Sequence, residues 1–239
     1  MKYDTIKVIA FDADDTLWDN EIYFKKVEAE VCRMMASFGT AEEISDALFQ
    51  VEMDNMPDYG YGAVAFTMSL IENAIKFSKG NILANDIGKI IELGRTLVHL
   101  KATPLHGVVE TLKAIQKTSL YQLVVFTKGE LLTQENKLKR SGLLSYFDKS
   151  IIVSDKKEQE YRNLCNEMHI VPEQLLMVGN SLKSDILPAL NIGAYGVFIP
   201  YTVMWQHEVI EHFEHERMAQ VSEFSDLLTV LNIPSIESL

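Results

Sequence analysis

The first apolar run of the chain, residues 6–11 (Ile-Lys-Val-Ile-Ala-Phe), has the length and β-branched content of a buried strand. It stops abruptly at Asp12-Ala13-Asp14-Asp15-Thr16. From about residue 18 the period lengthens: Tyr23, Val27, Val31, Met34 and Phe38 recur at three- and four-residue steps and predict an amphipathic helix. Thr40 with Glu43 three positions later has the form of a capping box, and Ile44, Leu48 and Val51 carry the helix it opens. A glycine-rich break at Asp58-Tyr59-Gly60-Tyr61-Gly62 separates this from a third helix on Phe66, Leu70, Ala74 and Phe77. Asn85 is the expected cap of a fourth, with Ile87, Ile91 and Val98 on its inner side. No strand pattern interrupts residues 18–101, which read as a compact helical bundle.

Past Thr103-Pro104 short apolar runs alternate with helical stripes. Val109, Leu112 and Ile115 predict a helix, Leu123-Val124-Val125-Phe126 a strand, and residues 130–142 a helix closing at Gly142. Ile151-Ile152-Val153, Leu175-Leu176-Met177-Val178 and Val197-Phe198-Ile199 read as further strands, with helices over residues 157–169 and 185–191 between them. After about residue 218 one more amphipathic helix and a short end are expected. Buried strands separated by helices predict a parallel sheet covered on both faces. The fold class is therefore α/β, a Rossmann-like doubly wound core of residues 1–17 and 102–239. A helical bundle of residues 18–101 is inserted into it.

Composition narrows the partners. Lys and Arg number 22 and Asp and Glu 34, giving a net charge of −12. Such a surface repels nucleic acid and anionic membranes, and it also repels phosphorylated molecules at long range, so any phosphate must be drawn in by local cations or a metal. No apolar run approaches the roughly 18 residues of a membrane span, and no small-residue cleavage site follows the N-terminal apolar stretch. Two cysteines, Cys32 and Cys165, suggest neither a disulfide framework nor a zinc cluster, which makes the reducing cytoplasm the expected compartment. Trp205, His207 and Glu208 follow Pro200-Tyr201 just beyond the last strand; His207, His212 and His215 are spaced irregularly and read as a solvated helix face rather than a zinc site.

In an open parallel sheet, ligands bind at the carboxyl ends of the strands. Those ends carry, in order, Asp12 and Asp14, then Thr127-Lys128, then Asp155-Lys156-Lys157, then Asn180 and Asp185. Any one of these has an ordinary reading: an Asx turn, a strand-terminal threonine capping a helix, two solvated lysines, an acid at a helix start. Their coincidence at one sheet edge is the informative feature. Asp12 and Asp14 lie two apart on extended chain, and carboxylates so close repel unless a cation joins them or one takes a proton. Magnesium, which favours hard oxygens and keeps several waters, suits such a pair. Asp15 is better assigned to the turn.

Phe11-Asp12-Ala13-Asp14-Asp15-Thr16-Leu17 resembles the first motif of the haloacid dehalogenase superfamily, an apolar strand followed by DxDxT. The resemblance implies that Asp12 attacks phosphorus to form an aspartyl phosphate. Asp14 then serves as acid to the leaving oxygen and as base to water. Thr127 resembles the second motif, binding phosphoryl oxygens, and Lys128 falls in the same phosphate loop. Lys156 resembles the third-motif lysine, because Tyr161 stands five positions on, with Lys157 as the alternative. Val178-Gly179-Asn180-Ser181-Leu182-Lys183-Ser184-Asp185 resembles the fourth motif, departing from it where Asn180 replaces the first acid. An amide oxygen still ligates a metal but brings no charge.

The implied metal ligands are Asp12, Asp14 (with its main-chain oxygen), Asn180 and Asp185, around Mg²⁺; Asp185 is open to binding the ion directly, binding it through water, or holding Lys156 in place. The helical insertion resembles a cap closing over the site, with Asn55, Tyr59 and Tyr61 as its substrate-facing candidates. The resemblance implies a phosphatase of a small phosphorylated metabolite. A sugar phosphomutase, a haloacid dehalogenase and a non-catalytic phosphate-binding relative are the alternatives, and oligomeric state is not readable.

Overall fold

The computed structural model describes residues 3–234, so the short end expected after the last helix lies largely outside the described residues. The chain divides into two compact units. One comprises Met1–Glu21, Ala102–Lys128 and Leu138–Leu239; the other comprises Ile22–Lys101 and Gly129–Lys137.

The first unit is built on a six-stranded sheet: β1 (Val8–Phe11), β2 (Gln122–Lys128), β3 (Lys149–Val153), β4 (Leu175–Gly179), β5 (Tyr195–Phe198) and β6 (Met218–Gln220). All neighbours pair in parallel, in the order β3-β2-β1-β4-β5-β6. In the second unit, α1 (Glu21–Met34), α2 (Ala41–Tyr59), α3 (Ala63–Phe77) and α4 (Ala84–Val98) account for nearly all of the insertion. The remaining helices are α5 (Val108–Thr118), α6 (Leu131–Ser141), α7 (Glu158–Glu167), α8 (Leu187–Asn191) and α9 (Leu227–Val230).

The strands read as continuous apolar runs because both sheet faces are buried. Ile9, Phe11, Leu123, Val125, Leu176 and Val178 point to one face and pack with Leu112 and Ile115 of α5 and Leu227 of α9. Val8, Ala10, Val124, Phe126, Leu175 and Met177 point to the other and pack with Tyr161 and Leu164 of α7 and Ala189 of α8. This is a doubly wound sheet. From β1 the chain winds outward to β3, then returns across β1 to β4. The winding therefore reverses between β1 and β4, and the crevice at their carboxyl ends is where such folds place ligands.

Three expectations need correction. The chain after residue 218 begins not with a helix but with β6, a three-residue strand recognisable only by its pairing with β5. Met-Ala-Gln carries no alternation from which to read it. Asn85 does not cap α4: the helix starts at Ala84 after an extended Leu83 that offers no side-chain bond. Ile91 is 36% exposed, while Ile90, Gly94 and Leu97 are buried. At 100° per residue these last three, with Ile87, share one stripe. The capping box at Thr40 is present, its hydroxyl accepting from the Glu43 N–H and Glu43 reaching back to the Thr40 N–H. Among the described residues no helix is long and apolar enough to cross a membrane.

Gly94 sits where α4 meets α3. A Cβ there would lie 2.0 Å from Thr67 Oγ1 and 2.8 Å from Thr67 Cβ, so the helices must shift to admit it. Gly88, on the same helix, has nothing within 4 Å of that position. Gly94→Ala is expected to destabilise the protein by about 1–3 kcal/mol. Gly88→Ala is expected to stabilise it by about 0.5–1 kcal/mol. Chemical denaturation of the two variants beside the parent chain checks both signs.

Candidate active site

The centre of the site is an ammonium group buried away from the protein surface. Lys156, three residues past the end of β3, is 3% exposed. Its Nζ donates to Asp12 Oδ1 at 2.5 Å and to Asp185 Oδ1 at 2.7 Å, joining the carboxyl ends of β3, β1 and β4. It also stands 5.6 Å above the Phe126 ring. Burial alone would lower the lysine pKa; the two carboxylates outweigh that and raise it. Burial in turn pushes Asp12 up to about 7, against the pull of Lys156. Lys157 pairs at the surface with Asp155, its side chain 77% exposed. Lys156 is thus the lysine the fold brings to the carboxylates.

The reason lies five residues on. Tyr161 of α7 is fully buried against Phe126, ring centroids 4.9 Å apart. Its hydroxyl lies 2.9 Å from the carbonyls of both Ser184 and Asp185. That contact ties the start of α7, and with it Lys156, to the turn after β4.

The loop after β1 is equally determined. The Asp12 N–H donates to Val178 O at 2.9 Å, which extends the β1–β4 ladder to Asp12. Thr16 Oγ1 lies 3.1 Å from both Asp12 Oδ2 and Asn180 Oδ1. The Asp14 carboxylate accepts from Trp18 Nε1 at 2.7 Å. Asp15, in a left-handed conformation (φ 62°), accepts from the Asn20 and Glu21 N–H groups at the start of α1. Burial pushes its carboxyl up to about 7 although those two amides hold it down. Asp15 thus shapes the turn, as expected.

After β4, Gly179 is fixed by contact: a Cβ would lie 2.3 Å from Asp185 Oδ2. Asp185 is 1% exposed; Oδ2 accepts from the Ser181 N–H at 2.9 Å while Oδ1 holds Lys156. The turn over Leu182–Ile186 is a single π-helical turn, with Ile186 N–H reaching Ser181 O at 3.2 Å. Such bulges recur at functional sites.

Thr127 is buried at the end of β2. Lys128, next to it, donates to Ser184 Oγ at 3.0 Å and is ion-paired with Glu208. The Glu208 carboxylate also accepts from Ser181 Oγ at 2.5 Å and Ser184 Oγ at 2.6 Å. Burial would raise its pKa, but Lys128 and the two hydroxyls hold it down at about 2. Sequence reasoning missed this cluster: Glu208 lies in an irregular loop whose periodicity carries no signal. Thr16 stood within the first motif but was given no role of its own.

The cap candidates lie in the helical unit. Asn55 Nδ2 donates to Ser69 Oγ at 3.2 Å and Glu72 Oε2 at 2.8 Å, bridging α2 to α3. Tyr59 is exposed, and Tyr61 half-buried.

Among the described residues no three Asp, Glu, His or Cys side chains gather as a metal cluster. Both Asp185 oxygens are engaged in holding Lys156 and the turn, and Asp14 is bonded to Trp18. Asp12 and Asn180 offer two hard oxygens brought together at Thr16. That pair fits Mg²⁺, which takes one or two protein oxygens and completes its shell with water and phosphate.

Comparison with known proteins defines the class. The pattern of haloacid dehalogenase-like hydrolases matches residues 6–193, and the chain belongs to that family. A haloacid dehalogenase-like hydrolase of Xanthomonas campestris superposes with a TM-score of 0.86 at 33% identity, covering 95% of this chain and 91% of that one. The glyceraldehyde 3-phosphate phosphatase of Methanothermobacter thermautotrophicus is 27% identical over 203 residues, covering 81% of this chain and 85% of its own. The human N-acylneuraminate-9-phosphatase is 24% identical over 201 residues, 79% of each.

Removing one member of a buried charge cluster strands the others. Lys156→Met is expected to destabilise the fold by about 3–5 kcal/mol. Lys157→Met should leave stability within about 0.5 kcal/mol. Urea melts of the two variants separate the lysines without recourse to activity.

Proposed function

We propose that this chain is a magnesium-dependent phosphomonoesterase that hydrolyses a small phosphorylated metabolite through an aspartyl-phosphate on Asp12. The observation that carries the proposal is the buried Lys156 ammonium held on Asp12 by Asp185 at the reversal point of the sheet. A carboxylate kept dry and paired with a cation is an aimed nucleophile. Two of the relatives are phosphatases of small phosphorylated compounds, which supports the same class of substrate.

In the proposed reaction an Asp12 carboxylate oxygen bonds to phosphorus as the ester oxygen departs. Asp14 gives that oxygen its proton. Water then attacks the phosphoryl group, its proton returning to Asp14, and inorganic phosphate leaves with Asp12 restored. Lys156 offsets negative charge on Asp12 and on the phosphoryl oxygens, and Thr127 offers a hydroxyl to those oxygens. Asp12, Asn180 and the main-chain oxygen of Asp14 would hold Mg²⁺, which supplies positive charge beside the phosphoryl group. Trp18, donating to Asp14, fixes the orientation of the proton carrier.

Asp12→Asn keeps the shape and one acceptor for Lys156 while removing the nucleophile. Hydrolysis of aryl phosphates should fall by at least about a thousandfold with the circular dichroism spectrum unchanged. A chelator should abolish turnover of the parent chain, and added magnesium should restore it. A carbon–halogen hydrolase would need neither the metal nor Asp14 and would survive the chelator.

A further inference from the structure

The loop from residue 199 to 217 follows β5 and leads into β6. Its one short helical turn is Gln206–Glu208. It lies beyond residues 6–193, the part that the family pattern matches. Yet it grips the turn after β4 at three of its polar positions, Ser181, Lys183 and Ser184. Glu208 accepts from Ser181 and Ser184, and Lys183 Nζ donates to His207 O at 2.7 Å. Below these bonds Leu182, Ile186 and Leu190 pack with Ile210 and Phe213 of the same loop. The Glu208–Lys128 pair then fastens the assembly to the end of β2.

The gripped turn is the one that bears Asp185. Its backbone carbonyl meets Tyr161, and its carboxylate holds Lys156 on Asp12. A π-helical turn has fewer alternatives to fall back on than a regular helix start, so outside contacts fix its shape. Serine hydroxyls bonded to a half-buried carboxylate make short, charge-assisted anchors.

We propose that Glu208 is a positioning residue for the reaction: it clamps Ser181, Ser184 and Lys128 so that Asp185 holds Lys156 against the nucleophile. Glu208 itself touches neither substrate nor Asp12. The inference rests on the phosphomonoesterase reading, which the Asp12→Asn comparison tests separately.

The experiment uses the full chain with an aryl phosphate at saturating magnesium. Glu208→Ala is expected to lower kcat at least about tenfold with KM within about threefold, because Lys156 is misplaced rather than lost. In an Asp185→Asn background, where that hold is already broken, the same substitution should cost less than about threefold. Since Glu208→Ala alone leaves the half-buried Lys128 without this partner, Glu208→Ala/Lys128→Met removes both charges and is measured in the same two backgrounds. Unchanged kcat, a loss carried by KM, or equal losses with and without Asp185 would overturn the proposal. A parent chain that turns over no aryl phosphate would fail the phosphomonoesterase reading first, and the positioning role with it. An active parent with an indifferent Glu208→Ala rejects the positioning role alone.

Discussion

An ammonium group taken out of water costs several kcal/mol unless anions meet it at hydrogen-bond distance. Lys156 is such a group, and Asp12 and Asp185 are the anions. The requirement works in both directions. Two buried carboxylates facing each other would repel, and the lysine between them is what lets the ends of β1 and β4 lie adjacent. Much else in the unit follows from this contact. Gly179 has no side chain because Asp185 fills its space, Tyr161 braces the same turn, and Phe126 forms the wall beneath the ammonium.

The sheet supplies the convergence. Because every strand runs parallel, all carboxyl ends lie on one edge, and chain segments more than a hundred residues apart end within a few ångströms of each other. Asp12 and Lys156 are separated by 144 positions and meet at 2.5 Å. The helical unit interrupts this arrangement without disturbing it. The chain leaves after the Asp15 turn and re-enters beside it, with Leu105 N–H donating to Leu17 O at 2.9 Å and Trp18 bridging to Pro104. An insertion whose two ends are pinned together costs the core little loop-closure entropy beyond that of the insertion itself.

That edge was legible in the sequence because buried parallel strands and the acids at their ends are local signals. Four of the strands after β1 were expected from short apolar runs, and the choice of Lys156 over Lys157 followed from the position of Tyr161. What was not legible depends on contacts made across the fold. β6 exists only because β5 offers it an edge. Ile91 lost its place in the stripe to Ile90 because Gly94 sets which face of α4 approaches α3. Glu208 lies in a loop with no period, and its burial comes from Lys128, eighty residues away in sequence. Asp185 was open to several roles until both of its oxygens were seen to be engaged.

The neutral Asn180 then acquires a physical reading. Asp12, Asp185 and Lys156 together carry one net negative charge, and burial already pushes the Asp12 carboxyl up to about 7. A further carboxylate at position 180, next to Thr16 and Asp12, would push it higher and favour a protonated, unreactive acid. An amide oxygen contributes a ligand at that place without the repulsion. On the proposed reading, a divalent cation between Asp12 and Asn180 brings the cluster to one net positive charge. That charge would draw Asp12 back toward its ionised form and would oppose the two negative charges of a phosphate ester. The long-range repulsion expected from a chain of net charge −12 would then be met where it matters, by local charge at the ends of β1, β3 and β4.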